Sequence, residues 1–413
     1  MSGPVRQCRS CGHDRLEPVL DLGSTPVANA LVDPGDPGPD PVHPLGLVFC
    51  ERCALVQLSY ALPADVIFDA DYPYYSSFSD ALLAHAAEHV RQLVSSRRLD
   101  RSSFVVEVAS NDGYLLRHFE PVGVRVLGID PSPGPAAAAE HVGVPTVVGF
   151  FGRDMAARIR SEHGPADVIV ANNVMAHVPD LNDFVGGLAT LVADGGLITI
   201  ENPYVRDLVE HVEFDTIYHE HYCYFSCSAV DALVSRHGLH LVDVEYFPAL
   251  HGGTLRWHVG TRDERTPRCA EYLDREAATG LTEVGHFRRF ADRVADCQRA
   301  LTAFLDDRAS EGRTVAAYGA AAKGATLLNS TGIGTDRIAY VVDRNVHKQG
   351  RLMPGCRLPI RPVEVLVDER PDDLLLLAWN FASEIVAQQA DYARLGGRFH
   401  VPVPQVRELT LER

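Results

Sequence analysis

The same order of elements occurs twice in this chain of 413 residues. It consists of a strand, a turn of small residues, a helix, and a second strand with an acidic residue at its end. The first copy begins at residues 104–108 and reaches Asp130; the second begins at residues 314–318 and reaches Asp343. Strands that alternate with helices predict a parallel sheet with helices on both faces. Because the copies share no obvious sequence, we expect two separate nucleotide-type domains and no recent internal repeat.

Four of the nine cysteines form two CxxC pairs, Cys8 with Cys11 and Cys50 with Cys53. Four thiolates in two such pairs match the tetrahedral coordination of zinc. The stretch between the pairs is rich in Pro, Gly and Asp and is typical of an inserted loop. A redox role is the alternative, but two matched pairs without a thioredoxin-like context favour zinc. Since sulfur fills all four positions, the predicted metal is structural.

The chain is longer than one hydrophobic core usually supports, and its motifs predict three domains in an α/β fold. We place a small zinc-binding domain at residues 1–75 and a Rossmann-like domain at residues 76–245. A linking helix and a second Rossmann-like domain occupy residues 246–413.

Charge and hydropathy exclude several classes of partner. The 38 Lys and Arg against 55 Asp and Glu give a net charge of -17, which disfavours nucleic-acid binding and leaves any phosphorylated ligand dependent on a local site. No apolar run approaches the roughly 18 residues of a membrane span, and the amino terminus lacks the apolar stretch of a secretory signal. We therefore expect a cytoplasmic protein without a membrane partner, and the acidic surface is compatible with a monomer.

The first small-residue turn, residues 107–113, stands where a dinucleotide-binding domain carries its glycines. Ala109 and Asn111 occupy two of the positions where glycine is expected. The turn is therefore poorly suited to bring a pyrophosphate onto a helix amino terminus. S-adenosylmethionine, which has no phosphate, is favoured, and a capped turn in an unrelated sheet is the alternative. Asp130 is placed to accept hydrogen bonds from ribose hydroxyls. The predicted cofactor-binding residues are Glu107, Ala109, Asn111, Gly113, Asp130 and Asn172.

The second turn, residues 318–324, offers backbone N–H groups and a lysine at a helix start, as a diphosphate requires. We predict that Tyr318, Lys323 and Gly324 bind a phosphate-bearing ligand. An equally well supported alternative is that Lys323 is only a solvated helix residue. Asp343 either contacts a sugar or contacts no ligand.

Five successive residues concentrate proton-handling groups: Tyr218, His219, Glu220, His221 and Tyr222. If the segment is helical, a phenol and an imidazole three residues apart share one face, while the carboxyl group orients a ring. An ordinary polar interface or a metal site formed by the two histidines is the alternative. Because the cysteines already provide a zinc site, we interpret the first and fourth residues as the reactive pair, the second as outside the chemistry, and the fifth as packing.

Several motifs follow one another along nearly the whole chain. In order they are the paired CxxC, a YSS loop at residues 72–77, EVASNDG from Glu107, NNVMAHVPD from Asn172, ENPY from Glu201, FDTIYHEHYCYFS from Phe214, HGGT from His251 and YGAAAKG from Tyr318. Each is weak alone, but in this order they are specific. The chain resembles the sugar C-methyltransferases that act on nucleotide-linked keto-deoxyhexoses in bacterial antibiotic pathways.

The resemblance implies a zinc domain, a central S-adenosylmethionine methyltransferase domain and a C-terminal Rossmann-like domain, with the sugar nucleotide held between the outer two. It implies a thymidine-diphosphate (TDP) 4-keto-6-deoxyhexose as substrate, methylated next to the ketone, most often at C3. Asn202 of the ENPY motif joins the implied substrate-binding residues.

Carbon next to a carbonyl is a poor nucleophile until its proton is removed, so such an enzyme needs a base at that hydrogen and donors at the oxygen. His221 is the expected base, since imidazole titrates near neutral pH. Tyr218 is expected to donate to the enolate oxygen or assist the proton transfer, Glu220 to orient an imidazole or the substrate, and Tyr72 to close the site.

Three alternatives stay open at this point. Methylation at C5 of the same substrate class fits the motifs equally well. A small-molecule oxidoreductase would also use two nucleotide-type sheets, although Ala109 and Asn111 disfavour NAD. A noncatalytic protein that binds a sugar nucleotide is the third.

Overall fold

The structure is a computed structural model that describes residues 2–63, 67, 75–250 and 252–409. The strands in these residues are β1 (Gly3–Pro4), β2 (Leu16–Thr25), β3 (His43–Cys50), β4 (Val56–Leu58), β5 (Tyr60–Ala61), β6 (Phe104–Val108), β7 (Arg125–Asp130), β8 (Thr146–Val148), β9 (Ala166–Asn172), β10 (Val192–Pro203), β11 (Cys223–Tyr224), β12 (His240–Phe247), β13 (Thr254–Gly260), β14 (Val315–Tyr318), β15 (Val341–Val342), β16 (Ile360–Arg361), β17 (Asp373–Leu376), β18 (Arg398–Val401) and β19 (Arg407–Glu408).

The α-helices in the same residues are α1 (Asp80–Arg97), α2 (Pro133–His141), α3 (Arg153–His163), α4 (Leu181–Leu191), α5 (Val205–Glu210), α6 (Cys227–Ser235), α7 (Pro267–Thr279), α8 (Val284–Ser310), α9 (Ala322–Thr331), α10 (Val365–Glu369), α11 (Ala382–Gln388) and α12 (Ala390–Arg394). Short 3₁₀ turns include Met175–His177, Phe214–Thr216 and Trp379–Phe381. Among the described residues, no helix is both long and apolar enough to cross a membrane.

The central sheet has seven strands in the order β12-β13-β10-β9-β6-β7-β8. Strands β10, β9, β6, β7 and β8 are parallel, and β13 runs antiparallel between β10 and β12. All five residues of β6 are buried, as expected for a parallel strand covered on both faces. The chain passes from β6 to β7 on one side and later to β9 on the other, and ligands bind at such a reversal, outside the carboxyl ends of the strands.

The C-terminal sheet has the order β16-β15-β14-β17-β18-β19, with only the edge strand β19 antiparallel among the described strands. The linking helix α8 precedes this sheet in the chain and has a buried apolar stripe at three- and four-residue spacing. The stripe includes Phe290, Val294 and Leu301. The predicted α/β class and the succession of a small amino-terminal domain, a central Rossmann-like sheet and a C-terminal parallel sheet are confirmed. The boundary that we drew at residue 245 lies inside β12, and the β12–β13 hairpin belongs to the central sheet because β13 pairs with β10.

The small amino-terminal sheet is completed by a strand from the central part of the chain. Its order is β11-β4-β3-β2, and in the β11–β4 pair Cys223 lies opposite Gln57. The backbone N–H of Leu58 donates to the carbonyl of Tyr222 at 3.0 Å. The proton-handling run at residues 218–222 therefore leads directly into the sheet of the zinc domain, which fixes one end of that run.

The Pro-, Gly- and Asp-rich stretch between β2 and β3 contacts the C-terminal domain. Val32 forms an antiparallel bridge with Leu352. Arg357 donates to the carbonyl of Asp36 at 2.7 Å and pairs with the Asp40 carboxylate at 2.6 Å. The predicted inserted loop thus joins the first and last domains of the chain.

Candidate active site and metal centre

The four CxxC cysteines converge. Their sulfur atoms all lie within 4.8 Å of one another, with Cys8 and Cys53 at 3.5 Å and Cys11 and Cys50 at 3.6 Å. Four sulfurs around a zinc ion at 2.3 Å stand about 3.8 Å apart, so this arrangement fits zinc closely. Within the described residues, no histidine joins a group with metal-ligand spacing.

Both CxxC segments fold into the same turn. The N–H of Gly12 donates to the carbonyl of Cys8, and that of Ala54 to the carbonyl of Cys50, each at 2.9 Å. Gly12 and Ala54 have φ of 69° and 56°, the left-handed conformation that turns the chain back and aims both sulfurs to one side. The local sequence therefore builds two equivalent halves of the metal centre.

The turn after β6 keeps the left-handed backbone of a glycine-rich loop without its glycines. Ala109, Asn111 and Gly113 have φ of 59°, 50° and 73°. The Asn111 side chain accepts a hydrogen bond from the N–H of Ser76 at 2.8 Å. Asn111 thus stands where a glycine is expected, and its side-chain amide ties the segment that precedes α1 to the rim of the crevice.

Asp130, at the carboxyl end of β7, faces this turn. One oxygen accepts from the N–H of Asn111 at 2.9 Å and the other from the N–H of Ser132 at 2.8 Å. Burial raises the pKa of Asp130, although these N–H groups oppose the rise. A carboxylate has about four lone-pair sites, so acceptor capacity remains for ribose hydroxyls.

The other predicted cofactor-binding residues surround the same edge. Asn172 ends β9, is buried, and has a side-chain oxygen without a hydrogen-bond partner in the described residues. Glu107 is fully buried in β6, and burial raises its pKa well above the ordinary value. These residues fit S-adenosylmethionine. Asp130, Asn172 and the turn at residues 109–113 would hold its ribose and its amino acid part.

We expect Asp130→Asn to weaken S-adenosylmethionine binding by about 10- to 100-fold, because a charged acceptor becomes neutral and loses half of its acceptor sites. Calorimetry measures the dissociation constant. The matched control is Asp343→Asn, whose carboxylate makes equivalent contacts in the C-terminal sheet. Equal loss of affinity in the two variants would show that Asp130 does not hold the cofactor.

The turn after β14 repeats the geometry of the first turn. Asp343 accepts from the N–H groups of Ala320 and Asn345, both at 2.8 Å. Gly319 has φ of 101°, and a Cβ on Gly324 would lie 2.8 Å from the Leu377 side chain. The first glycine therefore permits the turn and the second permits close packing of α9 on the sheet, as in a nucleotide-binding fold.

Two predicted substrate-binding residues of this turn face the protein interior. The ammonium of Lys323 is buried and lies 4.3 Å from the centre of the Trp379 ring. Tyr318 packs in the C-terminal core with Tyr340 and Ile385. In this conformation the hydroxyl of Tyr318 and the ammonium of Lys323 are both buried, so the backbone N–H groups are the remaining candidates of this turn for a phosphate contact.

Residues 218–221 form a turn and not a helix, closed by a hydrogen bond from the N–H of His221 to the carbonyl of Tyr218 at 3.0 Å. The predicted pair nevertheless meets: the Tyr218 hydroxyl and His221 Nε2 are 3.1 Å apart. His221 Nδ1 lies 3.0 Å from the carbonyl of Thr216. A carbonyl only accepts, so Nδ1 carries the proton and Nε2 of the neutral ring is the basic nitrogen.

His177 is a second imidazole at this site, and the sequence analysis did not single it out. Its ring centre lies 4.8 Å from that of His221, and its Nδ1 donates to the carbonyl of Glu220 at 2.8 Å. Burial lowers the pKa of His177 to about 4, so it is neutral at pH 7. The available signal was its position, five residues beyond Asn172 at the end of a crevice strand.

Glu220 does not orient an imidazole through its carboxyl group. Its Oε2 accepts from the Asn29 amide of the zinc domain at 2.7 Å, and its Oε1 has no partner among the described residues. His219 turns away from the pair, with Nε2 3.3 Å from the carbonyl of Pro44. Tyr222 is buried and donates to the carbonyl of Leu62 at 2.7 Å.

The remaining predicted residues divide. Asn202 is 1% exposed and its side-chain oxygen has no partner in the part of the chain that the structure describes, which leaves an acceptor for a ligand. Tyr72 lies outside the described residues.

Burial raises the pKa of Glu220 to about 7. A carboxyl group whose folded pKa lies above its unfolded value of 4.5 favours the fold most below pH 4.5. That contribution, about 3 kcal/mol, is lost as the pH rises through about 7. We therefore expect the melting temperature of the wild type to fall relative to Glu220→Gln over this interval. If the difference in melting temperature between the two proteins stays constant with pH, the pKa of Glu220 is not raised by burial.

Comparisons with known proteins cover nearly the whole chain. Family models match as a zinc binding domain at residues 8–68, a methyltransferase domain at residues 81–244 and a C-methyltransferase C-terminal domain at residues 249–404. C-methyltransferase NovU of Streptomyces niveus is 37% identical over 413 residues, which cover 99% of this chain and 98% of that protein.

Other similarities cover less of the chain. An uncharacterized methyltransferase of Mycobacterium leprae (strain Br4923) is 27% identical over 155 residues, 37% of this chain and 56% of the relative. The structure of magnesium protoporphyrin IX methyltransferase from Synechocystis PCC 6803 with bound SAM is 13% identical, with a TM-score of 0.34, over 43% of this chain and 78% of that one. The full-length relative and the three family models show that the chain belongs to the C-methyltransferase family, as an S-adenosylmethionine-dependent enzyme with a zinc-binding domain.

Proposed function

We propose that this enzyme methylates a carbon next to the ketone of a TDP-linked 4-keto-6-deoxyhexose, at C3, in deoxysugar biosynthesis of the antibiotic type. The observation that carries the proposal is the pair formed by Tyr218 and His221, with the basic Nε2 fixed by the bond from Nδ1 to Thr216. A carbon next to a ketone is a poor nucleophile until its proton is removed, so its methylation needs a base of this kind. The similarity to a C-methyltransferase favours carbon over oxygen as the acceptor.

When the Tyr218 hydroxyl turns from His221 Nε2 to the ketone oxygen, it frees the lone pair of that nitrogen. His221 Nε2 then takes the proton from the carbon next to the ketone, and the Tyr218 hydroxyl stabilises the charge that forms on the ketone oxygen. Bound S-adenosylmethionine supplies an electrophilic methyl group on sulfur. Glu220, held by the Asn29 amide, is proposed to orient the substrate. Tyr72 is proposed to close the site from the zinc domain.

The diphosphate is proposed to bind at the C-terminal sheet, on the amides of residues 322–324 at the amino terminus of α9, which follow the Gly319 turn. The amides of Gly319 and Ala320 already donate to Val342 and Asp343. Asp343 supports this turn through Ala320. Lys323 adds a nearby positive charge. Its ammonium contacts the Trp379 ring and has no hydrogen-bond partner among the described residues. Asn202 would accept a hydrogen bond from a sugar hydroxyl.

The test is a panel of TDP-linked 4-keto sugars with S-adenosylmethionine, including sugars with and without an amino group at C3. We expect a mass gain of one methyl group on a 4-keto sugar, and NMR places that methyl. A methyl at C5 would correct the position, and a methyl on oxygen or no product with any 4-keto sugar would overturn the proposal.

A further inference from the structure

We propose that Trp379 and Asp215 are positioning residues for the catalytic imidazole: the C-terminal domain holds the 3₁₀ turn Phe214–Thr216 and, through it, the ring of His221. The inference rests on the proposed role of His221 as the base. It adds a task to the C-terminal domain, whose proposed role is to bind the sugar nucleotide.

His221 is linked to the turn Phe214–Thr216 by a hydrogen bond. Thr216 and Ile217 close the turn with N–H bonds to the carbonyls of Glu213 and Phe214, both at 3.0 Å. The Thr216 carbonyl then accepts from His221 Nδ1 at 3.0 Å. The position of this carbonyl decides which ring nitrogen carries the proton and where Nε2 points.

The turn Phe214–Thr216 is also linked to the C-terminal domain through Asp215. Asp215 is fully buried, and its Oδ2 accepts from Trp379 Nε1 at 2.6 Å. Trp379 begins the 3₁₀ turn that follows β17. Since Asp215 immediately precedes Thr216, a displaced Asp215 side chain moves the carbonyl that fixes His221.

Trp379 is itself fixed by Lys323. The Lys323 ammonium lies over the face of its ring, 4.3 Å from the centre, and is attracted to the ring electrons. Burial raises the pKa of Asp215, and the charge of Lys323 opposes that rise. The indole is therefore held at its N–H edge by a carboxyl group and on its face by a cation.

These contacts lie at the carboxyl end of the C-terminal sheet. Lys323 belongs to the first turn of α9, and Trp379 follows β17, which pairs with β14. The same edge carries the Gly319 turn and Asp343, the proposed site of the diphosphate. One edge of the sheet thus binds substrate and supports the base that acts on it.

The test is the variant Trp379→Phe, which keeps a ring under Lys323 and removes the N–H donor. Histidine-labelled protein without substrate gives the tautomer of each ring by ¹⁵N NMR, and the His221 signals are those lost in His221→Asn. We expect the Nδ1–H form in the wild type and a larger share of the Nε2–H form in Trp379→Phe. We also expect kcat to fall about 10-fold with KM nearly unchanged, since the base is misplaced and the binding surface is retained.

The matched control is Tyr392→Phe, which removes one buried hydrogen bond to the carbonyl of Pro371 at the other end of β17. It should lower the melting temperature without changing the His221 tautomer or kcat. If Trp379→Phe fails to fold, Asp215→Asn and Asp215→Ala replace it. Asparagine keeps an oxygen for the indole and should preserve the tautomer, whereas alanine should not.

An unchanged His221 tautomer in folded Trp379→Phe, or in folded Asp215→Ala, would overturn the inference. The NMR measurement needs no substrate, so its result is independent of the proposed sugar. An altered tautomer in a protein that methylates a different compound would leave the positioning role intact and remove only the proposed function.

Discussion

Replacing His221 by Asn should lower the rate of methyl transfer by about 10²- to 10⁴-fold, the usual effect of removing a general base. Asparagine is close in size and keeps a donor for the Thr216 carbonyl, so the fold should be retained. S-adenosylmethionine affinity should stay near the wild-type value, because the turn at residues 109–113 is untouched. Single-turnover kinetics separates the chemical step from binding and product release.

The matched control is His219→Gln, which changes an imidazole two residues away. Burial lowers the pKa of His219 to about 4, and its ring faces Pro44 and not the catalytic pair. We expect this variant to keep its methyl-transfer rate within about threefold of the wild type, as for a residue outside the chemistry. Similar losses in both variants would mean that the rate depends on the integrity of the turn and not on the base.

Replacing Cys53 by Ala should release the metal and unfold the amino-terminal sheet. Structural zinc contributes about 10 to 16 kcal/mol to such small domains, more than a four-stranded sheet can recover from its own core. The loss should reach the active site, since β11 pairs with β4 and Asn29 binds Glu220. Metal analysis and melting curves measure the effect.

Cys356→Ala is the control, because this partly buried cysteine lies outside the cluster. It should keep its zinc and its activity. Full zinc content in folded Cys53→Ala would contradict the four-cysteine centre.

The sheets were predictable because their signals are local. Buried apolar runs, small-residue turns and acidic strand ends lie within about 30 residues of one another, and both Asp130 and Asp343 support the turns that precede them. The CxxC spacing likewise specified the metal centre without help from the rest of the chain.

Contacts between distant segments could not be predicted in this way. Strand β11 has two residues and no periodicity, and its partner β4 lies more than 160 residues earlier in the chain. The bonds from Asn29 to Glu220 and from Trp379 to Asp215 likewise join separate domains. Such pairs leave no pattern in a single sequence, which is why Glu220 was expected to orient an imidazole or the substrate and its bond to Asn29 was missed.

Backbone conformation was a further source of difference. Ala109 and Asn111 suggested a damaged glycine turn, yet both adopt the left-handed conformation that glycine favours. Such a conformation costs roughly 1–2 kcal/mol for a residue with a side chain. The Asn111 N–H donates to Asp130, and the Asn111 side chain accepts from the Ser76 N–H. These bonds help to offset the strain, and they form only in the folded protein.

The most direct test of the account is proton exchange on the 4-keto sugar nucleotide in deuterated water, followed by NMR in the absence of a methyl donor. The wild type should exchange the hydrogen on the carbon that later receives the methyl group. His221→Asn should exchange it at least about 10²-fold more slowly. Exchange by His221→Asn at the wild-type rate would contradict the assignment of His221 as the base.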